Sequence, residues 1–249
     1  MATLRSIRPV VQTSTRLSRL SRLSSTQQRR TFLPNPFEAL NSALPNADSP
    51  PQLLTAVRTL PYPSAPVYSI IADVPNYQHF LPYCQSSTIT KWSAPDTTYG
   101  RRWPSEGLLT SGFGGINESF VSRVYCIPGR YVESVGGNAE TSLKTEDIQH
   151  HLEDGAQTVD RSQGSNGLLT HLRSKWTVEA IQDAQTQVSL AVEFAFANPM
   201  YAALSGGVAP KVADFMIKAF ERRVQELLEN NPDMIKASLA DLDGSRLKR

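Results

Sequence analysis

Four histidines, two cysteines and two strand-borne glutamates are the side chains of this 249-residue chain placed where acid–base, nucleophilic or metal chemistry could be sought. Cys84 and Cys126 are too few for a disulfide framework or a zinc site by themselves. His150 and His151 are adjacent, and two neighbouring side chains do not meet a tetrahedral metal's demand, so they read as solvated surface. His171 falls on the outward parity of its strand. His79, five residues before Cys84, allows two readings: a nucleophile–base pair, or a histidine on a helical lip beside a small buried thiol. Glu193 points away from the Phe194/Phe196 face by alternation. Glu118 shares the parity of Phe120, and either acts as an acid or base of raised pKa or hydrogen-bonds at a rim.

No convergent catalytic set emerges, and no catalytic residue is assigned. The sequence has no G-x-S-x-G, Walker loop, H-E-x-x-H or G-x-G-x-x-G in a strand-to-helix setting. Gly112-Phe113-Gly114-Gly115 lies between two strand patterns, where a hairpin turn explains it better than a phosphate loop.

The inward-facing positions are apolar instead: Phe113, Phe120, Val124, Trp176, Phe194 and Phe196 on strands, then Met216 and Phe220 on a helix. Such a stripe is ordinary core or the wall of a greasy pocket, and pattern alone does not separate the two.

The elements that must hold these residues follow from periodicity. Leu53–Leu60 reads as a first strand, and Pro63–Ala72 as a short helix with prolines in its first turn. Asn76–Leu81 reads as one more turn before Pro82. Strands are expected over Thr88–Trp92, Gly100–Phe113, Ile116–Ile127 and Arg130–Val135. Residues 138–167 carry six acids and two bases and little that is apolar, and read as an exposed, mobile insertion. Alternation resumes with Leu172, Trp176 and Val178, then with Val188, Leu190, Val192, Phe194 and Phe196. Asn198-Pro199 is a good helix start. A long helix is expected from about Pro210 to Asn230, with Val212, Met216, Phe220, Val224 and Leu227 on one face and Lys211, Lys218 and Arg222 on the other. Its stop is Asn230-Asn231-Pro232, and the tail to Arg249 is expected to fray. The order predicts an α+β fold: a curved antiparallel sheet wrapped around a long C-terminal helix, with an apolar cavity between them.

Charge is unevenly distributed. The net charge is +2, yet residues 1–32 hold seven arginines and no acid. Removing those seven from 25 bases leaves 18 against all 23 acids, so residues 33–249 carry a net −5. Nucleic-acid binding driven by overall charge is thereby disfavoured. An Arg- and Ser-rich, acid-free leader has the composition of an organelle transit peptide, with Arg30-Thr31-Phe32-Leu33 resembling a mitochondrial processing site. The alternative is a basic tail for RNA or anionic lipid. The expected organisation is a leader over 1–32, a Pro-rich linker over 33–52, a domain over 53–230 and a flexible tail over 231–249. No apolar run reaches the 18 or more residues of a spanning helix.

Ala72-Asp73-Val74-Pro75-Asn76-Tyr77-Gln78-His79-Phe80-Leu81-Pro82-Tyr83-Cys84 resembles the Y-x-x-F-[LV]-P-[WY]-C segment of the mitochondrial coenzyme Q-binding proteins, which are START-type, polyketide-cyclase-like helix-grip domains. Leu109, Gly112, Phe113, Ile116, Glu118, Phe120 and Ser122 resemble that family's L-x-x-G-F…I-x-E-x-F-x-S run. Leu172 and Trp176 fit L-x-x-x-W, Phe194 and Phe196 fit F-x-F, and Ala219-Phe220-Glu221-Arg222-Arg223 resembles A-F-E-x-R. The likeness covers about 53–230. Tyr83 stands where the family often has Trp, and the 138–167 insertion exceeds the usual connection.

The resemblance implies a non-catalytic protein, peripheral on the matrix side of the mitochondrial inner membrane. It would hold ubiquinone or another isoprenoid quinone as bound ligand, with no other cofactor and no metal. It implies a lipid chaperone serving respiration and ubiquinone biosynthesis, with a respiratory or biosynthetic complex as a further partner. Phe80 and Leu81, in a Pro75–Pro82 lip, would join the inward residues around the ligand. Lys211, Lys218 and Arg222 would touch anionic headgroups if they are more than a solvated helix face. A cyclase-like enzyme on a quinone precursor, or an interaction module without lipid, is the competing expectation.

Overall fold

The computed structural model describes residues 51–113, 116–152, 169–182, 184–198 and 209–242. These all fall in one compact unit, Asn41–Arg249. The leader, most of the linker, Pro199, Gly206-Gly207 and the segment 153–168 lie outside the described residues.

Seven strands form one antiparallel sheet: β1 (Gln52–Leu60), β2 (Cys84–Trp92), β3 (Pro104–Phe113), β4 (Ile116–Ile127), β5 (Tyr131–Gly137), β6 (Leu169–Gln182) and β7 (Gln185–Phe196). Their order is β1-β7-β6-β5-β4-β3-β2, so β1 and β2 are the two edges. Five consecutive connections are hairpin neighbours; the first strand alone crosses to the far side, beside β7. That crossing is made by α1 (Ser64–Ala72) and a 3-10 turn over Val74–His79. A four-residue 3-10 turn, Thr145–Ile148, leads into the short helix α2 (Gln149–Leu152), and α3 (Ala209–Asn230) closes the fold, followed by a 3-10 turn over Pro232–Lys236.

Alternation decides which face is wet. On β7, Thr186, Val188, Leu190, Val192 and Phe194 are buried while the odd positions from Gln187 to Ala195 are only half-buried. The buried face packs on α3 through Ala213, Ile217, Phe220, Val224, Leu227 and Leu228, a stripe at helical spacing. Register shifts between Cys84 and Ser86, and again between Ile89 and Trp92, are bulges that bend β2 and help curl the sheet. The β3–β4 register ends on Phe113 opposite Ile116. At Gly112 a β-carbon would lie 2.1 Å from Gln85 Nε2. Glycine there lets Gln85 donate across the strand to Asn117 Oδ1 at 2.9 Å.

Two sequence expectations need correction. The stretch from residue 138 begins as structure, not as a solvated insertion: Ala139 and Ile148 are buried with Tyr125 and Val135 in a second small core. His150 and His151 are buried too. His151 Nε2 accepts the backbone N–H of Cys126 at 2.8 Å, and its Nδ1 lies 3.1 Å from Ser105 Oγ. The β4 amide at Cys126 supplies the donor that makes burial of this ring tolerable. The tail also departs from expectation. Met234, Leu239 and Leu242 are buried in the main core, Leu242 fully, because α3 ends beside an apolar surface that these residues cover.

Two buried acids organise the loops. Asp96 accepts from the Thr98, Tyr99 and Arg101 amides and from Trp103 Nε1 at 2.9 Å, fixing the loop that seats the fully buried Trp103. Burial pushes the Asp96 carboxyl up, but those hydrogen bonds outweigh it and hold it below the usual carboxylate range. Glu133, fully buried, accepts from Thr141 Oγ1, from the Ser142 amide at 2.9 Å and from Ser142 Oγ at 2.6 Å.

Candidate functional site

The interior between sheet and α3 centres on Phe220, which is 2% exposed. Three rings surround it. Trp176 of β6 lies 4.2 Å away in a tilted contact, Phe80 packs edge-to-face at 4.9 Å, and Tyr77 does so at 5.3 Å. Tyr77 and Phe80 also meet each other at 5.8 Å. One ring from the sheet, one from the helix and two from the lip therefore share a single cluster. The lip reaches it because Asp73-Val74-Pro75 starts a 3-10 turn with proline in its first positions. The Leu81 amide then donates to Tyr77 O at 2.8 Å, folding Phe80 back toward α3.

The lip is pinned at its start and strained at its end. Ser87 Oγ donates to Val74 O at 2.6 Å, and the Tyr77 hydroxyl donates to Ile71 O. Tyr83 takes φ 67°, a left-handed conformation that a bulky aromatic rarely adopts, and its carbonyl accepts the Gly112 amide at 2.9 Å. Burial, then the neighbouring Cys126, pushes the Tyr68 and Tyr77 phenols well up, so both stay neutral.

Phe80, Trp176, Phe220 and Met216 are thus brought together, and Leu81, Val124 and Phe194 lie in the same core. Phe196 is half-buried, edge-on to Phe194 at 5.5 Å. Phe120 is half-buried on the face of Val124, four residues along β4, and the side chain of Phe113 lies outside the described residues. Lys211, Lys218 and Arg222 are all exposed, but Lys218 Nζ is held 2.7 Å from Asp214 Oδ2 one turn earlier. Glu118 is half-buried, opposite Ser111. The His79–Cys84 pairing is not made: His79 is exposed with Nε2 3.5 Å from Gln78 Nε2, and Cys84 Sγ reaches Ser86 O. His171 and Glu193 lie on the outer face, where Arg173 pairs with Glu193.

Sequence reading missed Tyr77, although its spacing of three from Phe80 places both on one side of a helical turn. It also missed Arg223, whose guanidinium carbon stands 5.9 Å over the Phe80 ring, and Arg58. Arg58 sits at an inward position of β1, between the buried Ala56 and Leu60, and pairs with Asp214 and, at 3.6 Å, with Glu221 of α3. Hydrogen bonds from Lys218, then Arg58, hold the Asp214 carboxyl below the usual carboxylate range.

Between α1, α3 and the β1–β7 edge runs a cleft lined by Leu60, Val67, Ile71, Val188, Phe220 and Val224, with Arg58 and Glu221 at its mouth. Its free volume is about 10 Å³, against roughly 300–1,000 Å³ for pockets that enclose small ligands. The walls suit an apolar guest, but the cleft as it stands is far too small to enclose one. Among the described residues no group of three or more His, Cys, Asp or Glu could hold a metal, and no helix is long and apolar enough to cross a membrane.

Comparison with known proteins places this geometry. Residues 60–221 match the family described as polyketide cyclase / dehydrase and lipid transport. The chain is 30% identical over 177 residues to the mitochondrial coenzyme Q-binding protein coq10 of Schizosaccharomyces pombe, covering 70% of this chain and 89% of that one. It is 25% identical over 172 residues to the ribosome association toxin RatA of Pseudomonas aeruginosa, covering 68% and 92%. Among solved structures, the Zhui aromatase/cyclase of a Streptomyces species superposes with a TM-score of 0.51 at 14% identity, over 72% of this chain and 96% of that one, a likeness of fold.

Proposed function

The chain belongs to the polyketide cyclase / dehydrase and lipid transport family, and within it to the coenzyme Q-binding proteins; from that premise we propose that it binds ubiquinone, or an intermediate of its synthesis, between the sheet and α3. The observation that carries this reading is the ring cluster of Tyr77, Phe80, Trp176 and Phe220, which joins the lip to the apolar cleft. Flat rings offer a quinone offset or edge contacts of about 0.5–1.5 kcal/mol each beyond burial. The isoprenoid tail gains about 25 cal/mol per Å² of apolar surface removed from water. Affinity therefore rests on walls, and entry requires the Phe80–Phe220 contact to part.

In this role the protein is a lipid chaperone, taking ubiquinone up from the bilayer and delivering it for respiratory electron transport and efficient ubiquinone synthesis. The acid-free, Arg-rich leader supports mitochondrial import, and in this reading the imported protein works peripherally, at the matrix side of the inner membrane. The protein acts without catalysing a reaction on the quinone. Mass spectrometry of lipid extracted from the purified full chain tests the proposal: a quinone in stoichiometric reach of the protein is expected. Extracts without quinone, together with no uptake of added ubiquinone, would overturn it. Conversion of a quinone precursor by the purified protein alone would replace it with the cyclase-like reading.

A further inference from the structure

Among the described residues that line the cleft, Arg58 is the one cation, beside the acid Glu221 and otherwise apolar walls, and it occupies a strand position whose neighbours two residues away, Ala56 and Leu60, are buried. An exposed-face lysine or arginine needs no explanation; a guanidinium on the inward parity does. Its side chain is 29% exposed, and it is held by Asp214 and Glu221, whose side chains are 40% and 44% exposed. The acids can release it at little cost. Asp214 keeps a second partner in Lys218 Nζ at 2.7 Å, and Glu221 is open to water.

We propose that Arg58 is the head-group recognition residue of the cleft: when α3 or the lip opens, its guanidinium exchanges Asp214 and Glu221 for an oxygen acceptor on the ring of an amphiphilic ligand. This rests on the quinone-binding reading above and adds to it a named donor and a direction of entry, head group toward the β1–α3 mouth. The chemistry fits. A guanidinium offers five N–H donors in a rigid fork and no acceptor, so it selects carbonyl, alkoxy or carboxylate oxygens and ignores a hydrocarbon. In the closed form the same residue ties edge strand β1 to α3, so ligand and latch compete for one group.

The test uses the full-length protein and two probes, ubiquinone with a short isoprenoid tail and squalene, an isoprenoid hydrocarbon without oxygen. Binding is read by quenching of tryptophan fluorescence, which Trp176 beside Phe220 makes sensitive to this interior. Arg58→Met should weaken ubiquinone about tenfold or more, the scale of one lost charge-assisted hydrogen bond, and leave squalene within about twofold. Arg58→Lys, which keeps a cation and guards against misfolding of the methionine variant, should fall between. Asp214→Asn removes the competing carboxylate and should tighten ubiquinone alone. An equal loss for both probes, or no loss for ubiquinone, would overturn the assignment while leaving quinone binding intact. Wild-type protein that takes squalene but not ubiquinone would overturn both.

Discussion

Phe80, which ends the 3-10 turn of the lip, and Phe220, in the middle of the long helix, meet edge-to-face with ring centroids 4.9 Å apart. The contact joins segments 140 positions apart in the chain. It is one of several ring pairs by which the lip packs onto the core around Phe220.

Loosening that contact should speed exchange without dismantling the fold. Phe80→Ala removes the pairs with Phe220 and Tyr77 from a half-buried residue. A stability loss of about 1–3 kcal/mol is expected, with faster quinone transfer to acceptor vesicles. Urea unfolding and a stopped-flow transfer assay measure the two effects. Transfer rates equal to wild type would place the gate elsewhere.

Charges put into the apolar interior should end retention. Phe220→Lys, at a residue 2% exposed, puts a charge where it cannot be solvated well; Phe120→Asp puts one at a half-buried position on the same sheet face as Val124 and should weaken retention less. Phe220→Leu keeps volume and polarity closer, and should stay folded with weakened ligand retention. Circular dichroism paired with lipid extraction separates the outcomes; full retention in a folded Phe220→Lys protein would exclude the site.

Acid should destabilise the protein through His151. Burial, and then the adjacent His150, lowers its pKa from about 6.5 to about 3. The unfolded state then takes up a proton below about pH 6.5 that the folded state refuses until about pH 3. Stability conferred by the neutral ring is complete above pH 6.5 and is lost as pH falls through that window, at up to about 1.4 kcal/mol per pH unit. Urea titrations at pH 7, 5.5 and 4.5 should show this slope. His151→Gln, whose amide oxygen can still accept from the Cys126 amide, should flatten it.

The two thiols should resist modification in the native state. Burial pushes Cys126 up to about 12, and raises Cys84 as well. Labelling of Cys126 by a soluble disulfide reagent at pH 8 should track global unfolding. Cys84, half-buried at the end of the lip, should react first. A fast Cys126 reaction in folded protein would contradict its fully buried place in β4.

Removing the acid beneath Trp103 should cost more than an ordinary loop substitution. Asp96→Ala strands the indole N–H of a fully buried ring and removes the acceptor of three loop amides. Each unsatisfied buried donor costs about 1–3 kcal/mol, so a large drop in urea midpoint is expected, while Asp96→Asn should recover part of it.

Much of this protein was legible in its residues. Alternation over Val188–Phe196 and the spacing Phe220, Val224, Leu227 fixed the wet and dry faces of β7 and α3, because side-chain direction along one element is a local consequence of backbone geometry. The motif around Tyr77–Cys84 pointed to the family for the same reason, as a short contiguous pattern. What escaped was every relationship between distant elements. His150 and His151 looked solvated because the stretch 138–167 carries six acids and little that is apolar, yet α2 lies against β4, whose Cys126 amide satisfies the His151 ring. Leu239 and Leu242 looked like a frayed end, but they cover a surface built from other segments. Arg58 carried no local signal at all; its place follows from β1 being an edge strand beside α3, where Asp214 and Glu221 pair with it. The sequence by itself determined the faces, the family and the greasy character of the interior. Only the tertiary structure decided that the interior is closed and which charge stands at its mouth, since closure and pairing depend on distances between elements that no local pattern encodes.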